Sequence, residues 1–325
     1  MIDDKIPPRS TPEPAIPSLT DAGHPLKNLP TILAVTAAFL LSACEVTERE
    51  RSGPFSSLLV ADDNSCAMTE EGELNCWGYG DVARLEAPPG LSAVSIGHYH
   101  GCGLQEDGAI ACWGNVGDRR LEAPHGRFSR VFTGPASFSC ALDEQGRATC
   151  WGLSTRTLPG TYKTMAIAMS KFCGLRRSGE VDCLSFDIEP PPKFEGRYRD
   201  IVAGNAHFCA LKVSGEIECR GDNDQGQADP RSGSFRSLSA NSQSTCALDE
   251  EGRIHCWGRV AEPPDGEFEE VAVGRIHGCA RRASGSVLCW GSDAQSQLSG
   301  RWSWRRGSRT QPGDVYFASP DGPGR

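Results

Sequence analysis

The sequence predicts an all-β fold, a seven-bladed β-propeller with a hairpin disulfide in each blade. Three features that recur in phase support it. With Cys44 set aside, fourteen of the 15 cysteines form seven pairs, each with its members ten residues apart. The first members recur every 33 to 38 residues, a period typical of repeat architectures. The pairs are Cys66 with Cys76, Cys102 with Cys112, Cys140 with Cys150, Cys173 with Cys183, Cys209 with Cys219, Cys246 with Cys256, and Cys279 with Cys289.

A glycine and two large apolar residues keep the same phase as the cysteines. The glycine stands six residues after each first cysteine, at positions 72, 108, 146, 179, 215, 252 and 285. One apolar residue stands eleven or twelve residues before that cysteine: Phe55, Leu91, Phe128, Tyr162, Tyr198, Phe235 and Phe268. The other stands eight or nine residues before it: Leu58, Val94, Val131, Met165, Ile201, Leu238 and Val271.

Each cysteine pair predicts a β-hairpin. When Cys246 is placed opposite Cys256, residues 250–252 remain as a three-residue loop that ends on a glycine. Such loops need a positive φ at their last position, and glycine adopts it without steric cost.

Directly opposed cysteines on antiparallel strands can form a disulfide, with an expected Cα separation of about 5.5 Å. Closing so short a loop stabilises the fold by roughly 2–3 kcal/mol in the chain-entropy model. The alternative is buried free thiols that pack as small apolar groups. A structural zinc site is a poor alternative, because the cysteines lack the short spacing of such sites.

Seven radial sheets cover each other's faces, which favours a closed propeller over residues 54–300. The expected blades are residues 54–90, 91–127, 128–161, 162–197, 198–234, 235–267 and 268–300. A linear solenoid is the alternative, but the terminal repeats show no distinct caps.

The N-terminal segment predicts export. Residues 32–43 are apolar or small and follow Lys27, as in a signal peptide, and are too few to span a bilayer. The sequence Leu41-Ser42-Ala43-Cys44 resembles a bacterial lipobox, which implies lipidation of Cys44. An ordinary signal peptide or a buried apolar segment is the alternative. Fifteen cysteines also favour an oxidising compartment.

The remaining segments and the charge complete the expected organisation. Residues 1–43 are expected to be a leader with a signal peptide, 44–53 a charged flexible tether, and 301–325 a tail that could help to close the ring. The formal net charge of −9 disfavours nucleic acid as a partner.

The repeats resemble a known family. Residues 274–279 read Gly-Arg-Ile-His-Gly-Cys and residues 285–291 read Gly-Ser-Val-Leu-Cys-Trp-Gly. This pattern is similar to the repeat of the regulator-of-chromosome-condensation family. Blades four and five depart from it, with Leu184 and Arg220 in place of the tryptophan.

The resemblance implies a propeller that binds proteins, in the style of a secreted bacterial β-lactamase inhibitor of this family. We therefore expect a lipid-anchored binding scaffold in the cell envelope, at the outer membrane or cell surface rather than the inner membrane. Its partner is expected to be a protein or an envelope component, and no cofactor is expected. The alternatives are a structural envelope lipoprotein and an enzyme that acts on polysaccharide. No catalytic motif is found, which disfavours the enzyme.

The loops before the first cysteine and after the second cysteine of each pair should share one rim, because the strands alternate in direction. Variable loops on a rigid scaffold usually carry binding. The candidates there are Tyr79, His98, Tyr99, Arg119, Arg120, Phe186 and Arg275.

Metal binding is not expected. His100, His207 and His277 occupy the same repeat position, which favours a structural hydrogen bond within each blade over a metal site. Asp222 and Asp224 lack the twelve-residue loop of an EF-hand and are expected to form a turn.

Overall fold

The computed structural model describes residues 47–79, 87–114, 121–136, 138–152, 155–186, 188–294 and 296–298. Cys44, Arg119, Arg120, the leader and the tail lie outside the described residues, so the predictions made for them are not addressed by the structure.

The described residues form seven antiparallel sheets, each built on three consecutive strands, and contain no α-helix. The first strands of the blades are β2 (Phe55–Val60), β5 (Ala93–Ile96), β8 (Arg130–Thr133), β12 (Thr164–Ile167), β15 (Tyr198–Ala203), β18 (Phe235–Asn241) and β21 (Glu270–Val273). The second strands are β3 (Asn64–Thr69), β6 (His100–Leu104), β9 (Phe138–Leu142), β13 (Lys171–Leu175), β16 (His207–Lys212), β19 (Ser244–Asp249) and β22 (His277–Arg281). The third strands are β4 (Leu74–Gly78), β7 (Ile110–Gly114), β10 (Ala148–Gly152), β14 (Val181–Ser185), β17 (Ile217–Gly221), β20 (Ile254–Gly258) and β23 (Val287–Gly291). Two outer strands, β1 (Thr47–Arg51) and β11 (Arg156–Thr157), extend blades seven and three.

The sheets form a closed ring. The first strand of each blade packs beside the first strand of the next, and β21 of the last blade packs beside β2 of the first. This closure confirms the seven-bladed propeller and excludes the linear solenoid.

The predicted hairpins and disulfides are confirmed. In every blade the two cysteines lie directly opposite each other on the second and third strands, and their sulfurs are bonded. The seven disulfides are Cys66 to Cys76, Cys102 to Cys112, Cys140 to Cys150, Cys173 to Cys183, Cys209 to Cys219, Cys246 to Cys256, and Cys279 to Cys289. The alternative of buried free thiols is therefore excluded.

The expected Cα separation of the paired cysteines is wrong, however. The Cα atoms are 3.9 Å apart in the bond of Cys140 with Cys150 and 4.1 Å apart in that of Cys173 with Cys183, closer than the expected 5.5 Å. The short spacing is that of a non-hydrogen-bonded antiparallel pair, in which side chains approach more closely.

The turn glycine joins neighbouring blades as well as ending the hairpin. Gly252 has a φ of +83°, and its carbonyl accepts a hydrogen bond from the N–H of Phe268 in the next blade at 2.9 Å. The carbonyl of Gly285 accepts one from Phe55 at 3.3 Å, across the junction that closes the ring. The in-phase glycine of one blade and the first in-phase apolar residue of the next blade are therefore joined by a backbone hydrogen bond.

The prediction of a flexible tether over residues 44–53 is wrong for Thr47–Arg51. These residues form β1, which pairs with β23 so that Thr47 faces Gly291 and Arg51 faces Val287. An outermost strand is open to solvent on its far side, so it tolerates a charged sequence. The Arg51 guanidinium also lies 4.3 Å from the ring of Trp77 in blade one.

Five blades end their third strand with a Cys-Trp-Gly triplet, whose tryptophans are Trp77, Trp113, Trp151, Trp257 and Trp290. These tryptophans pack between blades. Trp77 packs against Cys279 and Cys289 of the preceding blade, and Trp290 packs against Cys246 of blade six. All five triplet tryptophans are at most 5% exposed. Each one covers the disulfide hairpin or the apolar face of the blade before it.

Blades four and five fill the same space from the opposite strand. Leu184 replaces tryptophan in blade four, and its cross-strand partner is Phe172. Arg220 replaces it in blade five, and its partner is Phe208. Phe172 and Phe208 are each 1% exposed and pack against the preceding blade, whereas the partners of the tryptophans are serine, glycine or threonine. In every blade, one of the two paired strands therefore supplies a large side chain that packs against the preceding blade.

The repeat histidines bond between blades, which corrects the prediction of a bond within each blade. Nε2 of His277 lies 2.8 Å from Oγ of Ser65, and Nε2 of His207 lies 2.8 Å from Oγ1 of Thr245. Nε2 of His100 lies 2.7 Å from Oγ of Ser139. The rings are fully buried, and burial lowers the pKa of His207 and His277 to about 4. All three are structural contacts, and the lowered pKa keeps the imidazoles of His207 and His277 neutral near pH 7.

Candidate binding face

The propeller presents two rims of different construction. One rim carries the loops between the first and second strands, which we call the first loops. The same rim carries the segments that follow the third strands. We call it the loop face. The other carries the hairpin turns between the second and third strands, and we call it the turn face.

Hydrogen bonds show that the two sets of loops meet on the loop face, as the alternation of strand direction predicts. The N–H of Tyr79, after the third strand of blade one, donates to the carbonyl of Asp63 in the first loop at 2.9 Å. The N–H of Ser292 donates to Ile276 in the same way at 3.1 Å in blade seven.

The glycine of the Cys-Trp-Gly triplet permits this contact. Gly78 has a φ of +112°, and a Cβ there would lie 2.3 Å from the carbonyl oxygen of Asp63. Only glycine allows the end of the third strand to approach the first loop so closely.

Two of the predicted binding residues are prominently exposed. Tyr79 is 51% exposed and Tyr99 is 43% exposed, and both lie on the loop face. Phe186 also follows a third strand, but it is half-buried and its ring packs at 5.1 Å and 4.6 Å from the rings of Phe138 and Phe172. Phe186 is therefore held mainly by the aromatic cluster beneath the face.

The predicted residues His98 and Arg275 are joined by two aspartates of blade one. Nδ1 of His98 lies 2.8 Å from Oδ2 of Asp62, and the Arg275 guanidinium lies 2.8 Å and 2.9 Å from the two carboxylate oxygens of Asp63. The hydrogen bond with Asp62 raises the pKa of His98. The four side chains form a polar cluster across blades seven, one and two.

Asp62 and Asp63 are not among the residues predicted from the sequence, which are all histidines, aromatics or arginines. The available signal was their position: they are adjacent carboxylates in the first loop, and none of the other first loops carries two.

Two further exposed apolar residues were also missed. Met169 in the first loop of blade four is 54% exposed, and Ile188 after its third strand is fully exposed. Among the described residues, four of the five exposed large apolar side chains lie on the loop face, and Val213, 64% exposed, lies on the turn face.

A small cavity opens at the centre of the loop face. It has a volume of about 130 Å³ and is lined by the first-strand ends and first loops of blades one to six. Its polar lining includes Asp62, His98, Asn205, Asn241 and Ser242.

The part of the chain that the structure describes contains no group of three or more His, Cys, Asp or Glu side chains that could hold a metal ion. The turn at Asp222 and Asp224 is closed by its own hydrogen bonds, since the N–H of Asp224 donates to Oδ1 of Asp222 at 3.1 Å. Within the described residues, no helix is long and apolar enough to cross a bilayer.

Comparison with known proteins supports the repeat and the fold. The family model for the regulator of chromosome condensation (RCC1) repeat matches residues 198–227 and 235–259. No curated protein sequence matches the chain significantly.

Solved structures with the same fold include proteins from plants and yeast. The CRINKLY WD40 ectodomain of the Arabidopsis thaliana receptor kinase ACR4 is 19% identical, with a TM-score of 0.64 over 76% of this chain and 99% of that one. The ectodomain of the Physcomitrella patens receptor kinase CR4 is 23% identical, with a TM-score of 0.63 over 74% of each chain. Prp20p from Saccharomyces cerevisiae is 15% identical, with a TM-score of 0.58 over 76% of this chain and 87% of that one.

Proposed function

Because the chain is an RCC1-like repeat propeller, we propose that it is an exported, lipid-anchored scaffold that binds a protein partner through the loop face. The partner is a protein of the cell envelope or its surroundings, and the anchor is a lipid on Cys44. The membrane is the outer membrane or cell surface. The protein acts by binding rather than by catalysis and uses no cofactor.

The observation that carries this proposal is the uneven placement of exposed apolar side chains. Tyr79, Tyr99, Met169 and Ile188 lie on the loop face, whereas Val213 alone represents this class on the described part of the turn face. Aromatic residues and methionine are enriched at protein interfaces, so the face that exposes more of them is the better candidate for binding.

The polar cluster of the loop face supports the same assignment. The side chains of Asp62 and Asp63 are each 11% exposed, whereas those of His98 and Arg275 are 31% and 41% exposed. Charges on a binding face can fix the register of a partner and exclude others.

The comparisons favour a protein as the partner. The yeast structure of Prp20p is described together with its binding to Gsp1p and histones, and another structure shows Kap60 bound to yeast RCC1. The net charge of −9 speaks against a nucleic-acid partner for this chain.

The export and anchor are supported by the disulfides and by the segment ahead of Cys44. Seven disulfides form and persist in an oxidising compartment. Intact-mass analysis of the mature protein tests both proposals together. We expect a chain that begins at Cys44, carries a lipid and contains seven disulfides; an unlipidated chain that retains residues 1–43 would refute the anchor.

Capture from envelope extracts tests the binding face. We compare the wild-type protein with a loop-face variant, Tyr79→Ser, Tyr99→Ser and Met169→Ser, and with the turn-face variant Val213→Ser. We expect the same partner to be enriched by the wild type and by the turn-face variant and lost from the loop-face variant. Equal capture by all three proteins would refute the assignment of the face.

A further inference from the structure

We propose that the lipid anchor turns the loop face toward the membrane, so that the partner of this face is a protein of the same membrane. The inference rests on the proposed function, because it needs the lipid on Cys44, and it names the class of partner. Its basis is the direction of strand β1, the first described element after Cys44.

Strand β1 runs from the loop face to the turn face. Its first residue, Thr47, lies opposite Gly291, which ends β23 at the loop face. Its last residue, Arg51, lies opposite Val287, which begins β23 beside the hairpin turn. The chain therefore enters the sheet of blade seven from the side of the loop face.

The chain between the anchor and β1 is short. Three residue steps separate Cys44 from Thr47, and a fully extended chain covers at most about 11 Å in three steps. The turn-face end of β1 lies four residue steps further on, which is about 13 Å at the rise of a strand. A lipid on Cys44 therefore holds the loop-face rim of blade seven next to the bilayer surface and leaves the turn face as the far rim.

Strand β1 is tied to the propeller along its length. All five of its residues pair with β23. At the turn-face end, Oγ of Ser286 donates a hydrogen bond to Oε1 of Glu50 at 2.9 Å. The Arg51 guanidinium donates to the carbonyl of Leu298 at 3.2 Å and lies over the ring of Trp77. Because β1 belongs to the rigid sheet, only the short chain ahead of it allows the ring to tilt.

A loop face turned toward the membrane fits a partner that is held in that membrane. A partner that approaches from the aqueous side meets the turn face first. Two proteins held in one membrane meet at a high effective concentration, so a small number of exposed apolar side chains suffices for binding. The exposed apolar side chains of the loop face are Tyr79, Tyr99, Met169 and Ile188.

The charge of the chain favours a protein over the lipid surface itself. Segments that dock on anionic lipid carry clusters of Lys and Arg, whereas this chain has a formal net charge of −9. Arg275 is the one arginine among the described residues that were predicted for the loop face, and it is already paired with Asp63 at 2.8 Å.

Energy transfer in vesicles tests the orientation without any partner. The lipidated mature chain is inserted into phosphatidylcholine vesicles that carry an acceptor dye on a lipid headgroup. A coumarin amino acid replaces Met169 on the loop face of blade four, Val213 on the turn face, or Ser284 in the hairpin turn of blade seven, all of which are exposed. Energy transfer should be about twofold higher from position 169 than from the other two, because a strand length of about 17 Å separates the rims.

The Ser284 position distinguishes a ring that faces the membrane from one that stands on its edge. If the ring stood on the edge of blade seven, Ser284 would lie nearer the bilayer than Met169, which lies on the opposite side of the ring. Transfer from position 284 that equals or exceeds transfer from position 169 would therefore overturn the inference.

A longer tether is the matched control for the orientation. An insertion of about ten Gly and Ser residues after Glu45 adds a flexible chain with a span of roughly 17 Å. It should bring the three transfer efficiencies close together. An unchanged difference between positions 169 and 213 would show that the short chain does not set the orientation, which also contradicts the inference.

The anchor itself is tested separately by Cys44→Ser. The wild-type chain should float with the vesicles in a density gradient, and the variant should remain in the soluble fraction. A wild-type chain that does not float refutes the anchor of the proposed function, and this inference with it. A chain that floats but shows the wrong orientation refutes only this inference and leaves capture through the loop face as a separate question.

Membranes washed with alkaline carbonate test the class of partner. The soluble Cys44→Ser chain should co-sediment with the washed membranes, and the same chain with Tyr99→Ser and Met169→Ser should not. Digestion of the membranes with protease beforehand should abolish the binding. Binding that survives digestion assigns the face to lipid, and binding confined to the carbonate-released proteins assigns it to a peripheral partner. Either result would overturn the inference, and no binding to either fraction would refute binding through the loop face altogether.

Discussion

The contacts between neighbouring blades, which we call the seams, repeat from blade to blade, whereas the loop face varies. In the seams, equivalent positions make equivalent contacts: His277 and His207 each bond a hydroxyl of the next blade. On the loop face, the first-loop residue four positions before the first cysteine, or five in blade three, differs in every blade. The seven residues in this position are Asp62, His98, Pro135, Met169, Asn205, Ser242 and Arg275.

This difference separates structure from recognition within one chain. A residue that recurs in phase holds blades together, and a loop position that never repeats faces the cavity or the solvent. The loops therefore diversify on a scaffold whose seams are constant. The comparison predicts that substitutions in the seams change stability and that those on the loop face change binding.

The largest effect is expected from a seam tryptophan. Trp290→Ala removes a fully buried ring from the seam between blades six and seven and should lower the free energy of unfolding by about 3–5 kcal/mol. Tyr79→Ala, on the loop face, should leave that free energy nearly unchanged. Denaturant unfolding followed by circular dichroism measures both. Similar losses in the two variants would contradict the separation.

In blade four the large side chain stands on the second strand instead of the third. This exchange predicts that one substitution can restore the stability lost through another. Phe172→Ser should destabilise the fold by about 3 kcal/mol, because it opens a cavity against blade three. Adding Leu184→Trp reproduces the serine–tryptophan pair of blades one and three and should restore at least half of the loss. Leu184→Trp alone serves as the control and should overpack the seam. Losses that simply add would show that the two positions do not share one space.

A smaller effect is expected at the glycine that closes the ring. Gly285 has a φ of +81°, and an added Cβ would lie 2.9 Å from the carbonyl oxygen of Gly53. Gly285→Ala should cost about 2–3 kcal/mol, whereas Gly90→Ala, with a φ of +74° and open space around it, should cost about 1 kcal/mol. Thermal unfolding of the two variants decides whether the close contact matters beyond the backbone conformation.

The dependence of stability on pH should have opposite signs in the two regions. Burial lowers the pKa of His207 and His277 from 6.5 to about 4, so the unfolded chain binds more protons between these values. These two residues should make the fold less stable as the pH falls from 6.5 to 4. The raised pKa of His98 acts the other way, with a contribution that is present below pH 6.5 and lost as the pH rises through its folded pKa.

Melting temperatures between about pH 4 and 8 for the wild type, His277→Gln and His98→Gln measure these contributions. His277→Gln should flatten the acid side of the profile, and His98→Gln should remove the gain below the pKa of His98. An acid limb that is unchanged in His277→Gln would show that this imidazole is not held neutral.

Much of the fold could be predicted because the repeat is local. A hairpin with its cysteines ten residues apart encodes its own register, and seven in-phase copies determine the architecture. Strand β1 could not be predicted in this way, because its partner β23 lies at the other end of the propeller sequence. The exchange of tryptophan for Phe172 or Phe208 left a signal in the sequence, since an aromatic residue immediately precedes the first cysteine only in the two blades whose triplet lacks tryptophan.

The candidate site was predicted only in outline. Strand alternation indicated which loops share a rim, and Tyr79 and Tyr99 lie there, exposed. The cavity depends on how the first-strand ends and first loops of six blades converge. The pairing of Asp62 with His98 cannot be derived from spacing along the chain.

Site-specific photo-crosslinking tests the central claim most directly. A benzophenone side chain replaces Tyr99 or Met169 on the loop face, or Val213 on the turn face, each in the full chain exposed to envelope extract. The account predicts one shared adduct from the Tyr99 and Met169 positions and none from the Val213 position. A specific adduct formed at Val213 and absent from both loop-face positions would contradict it.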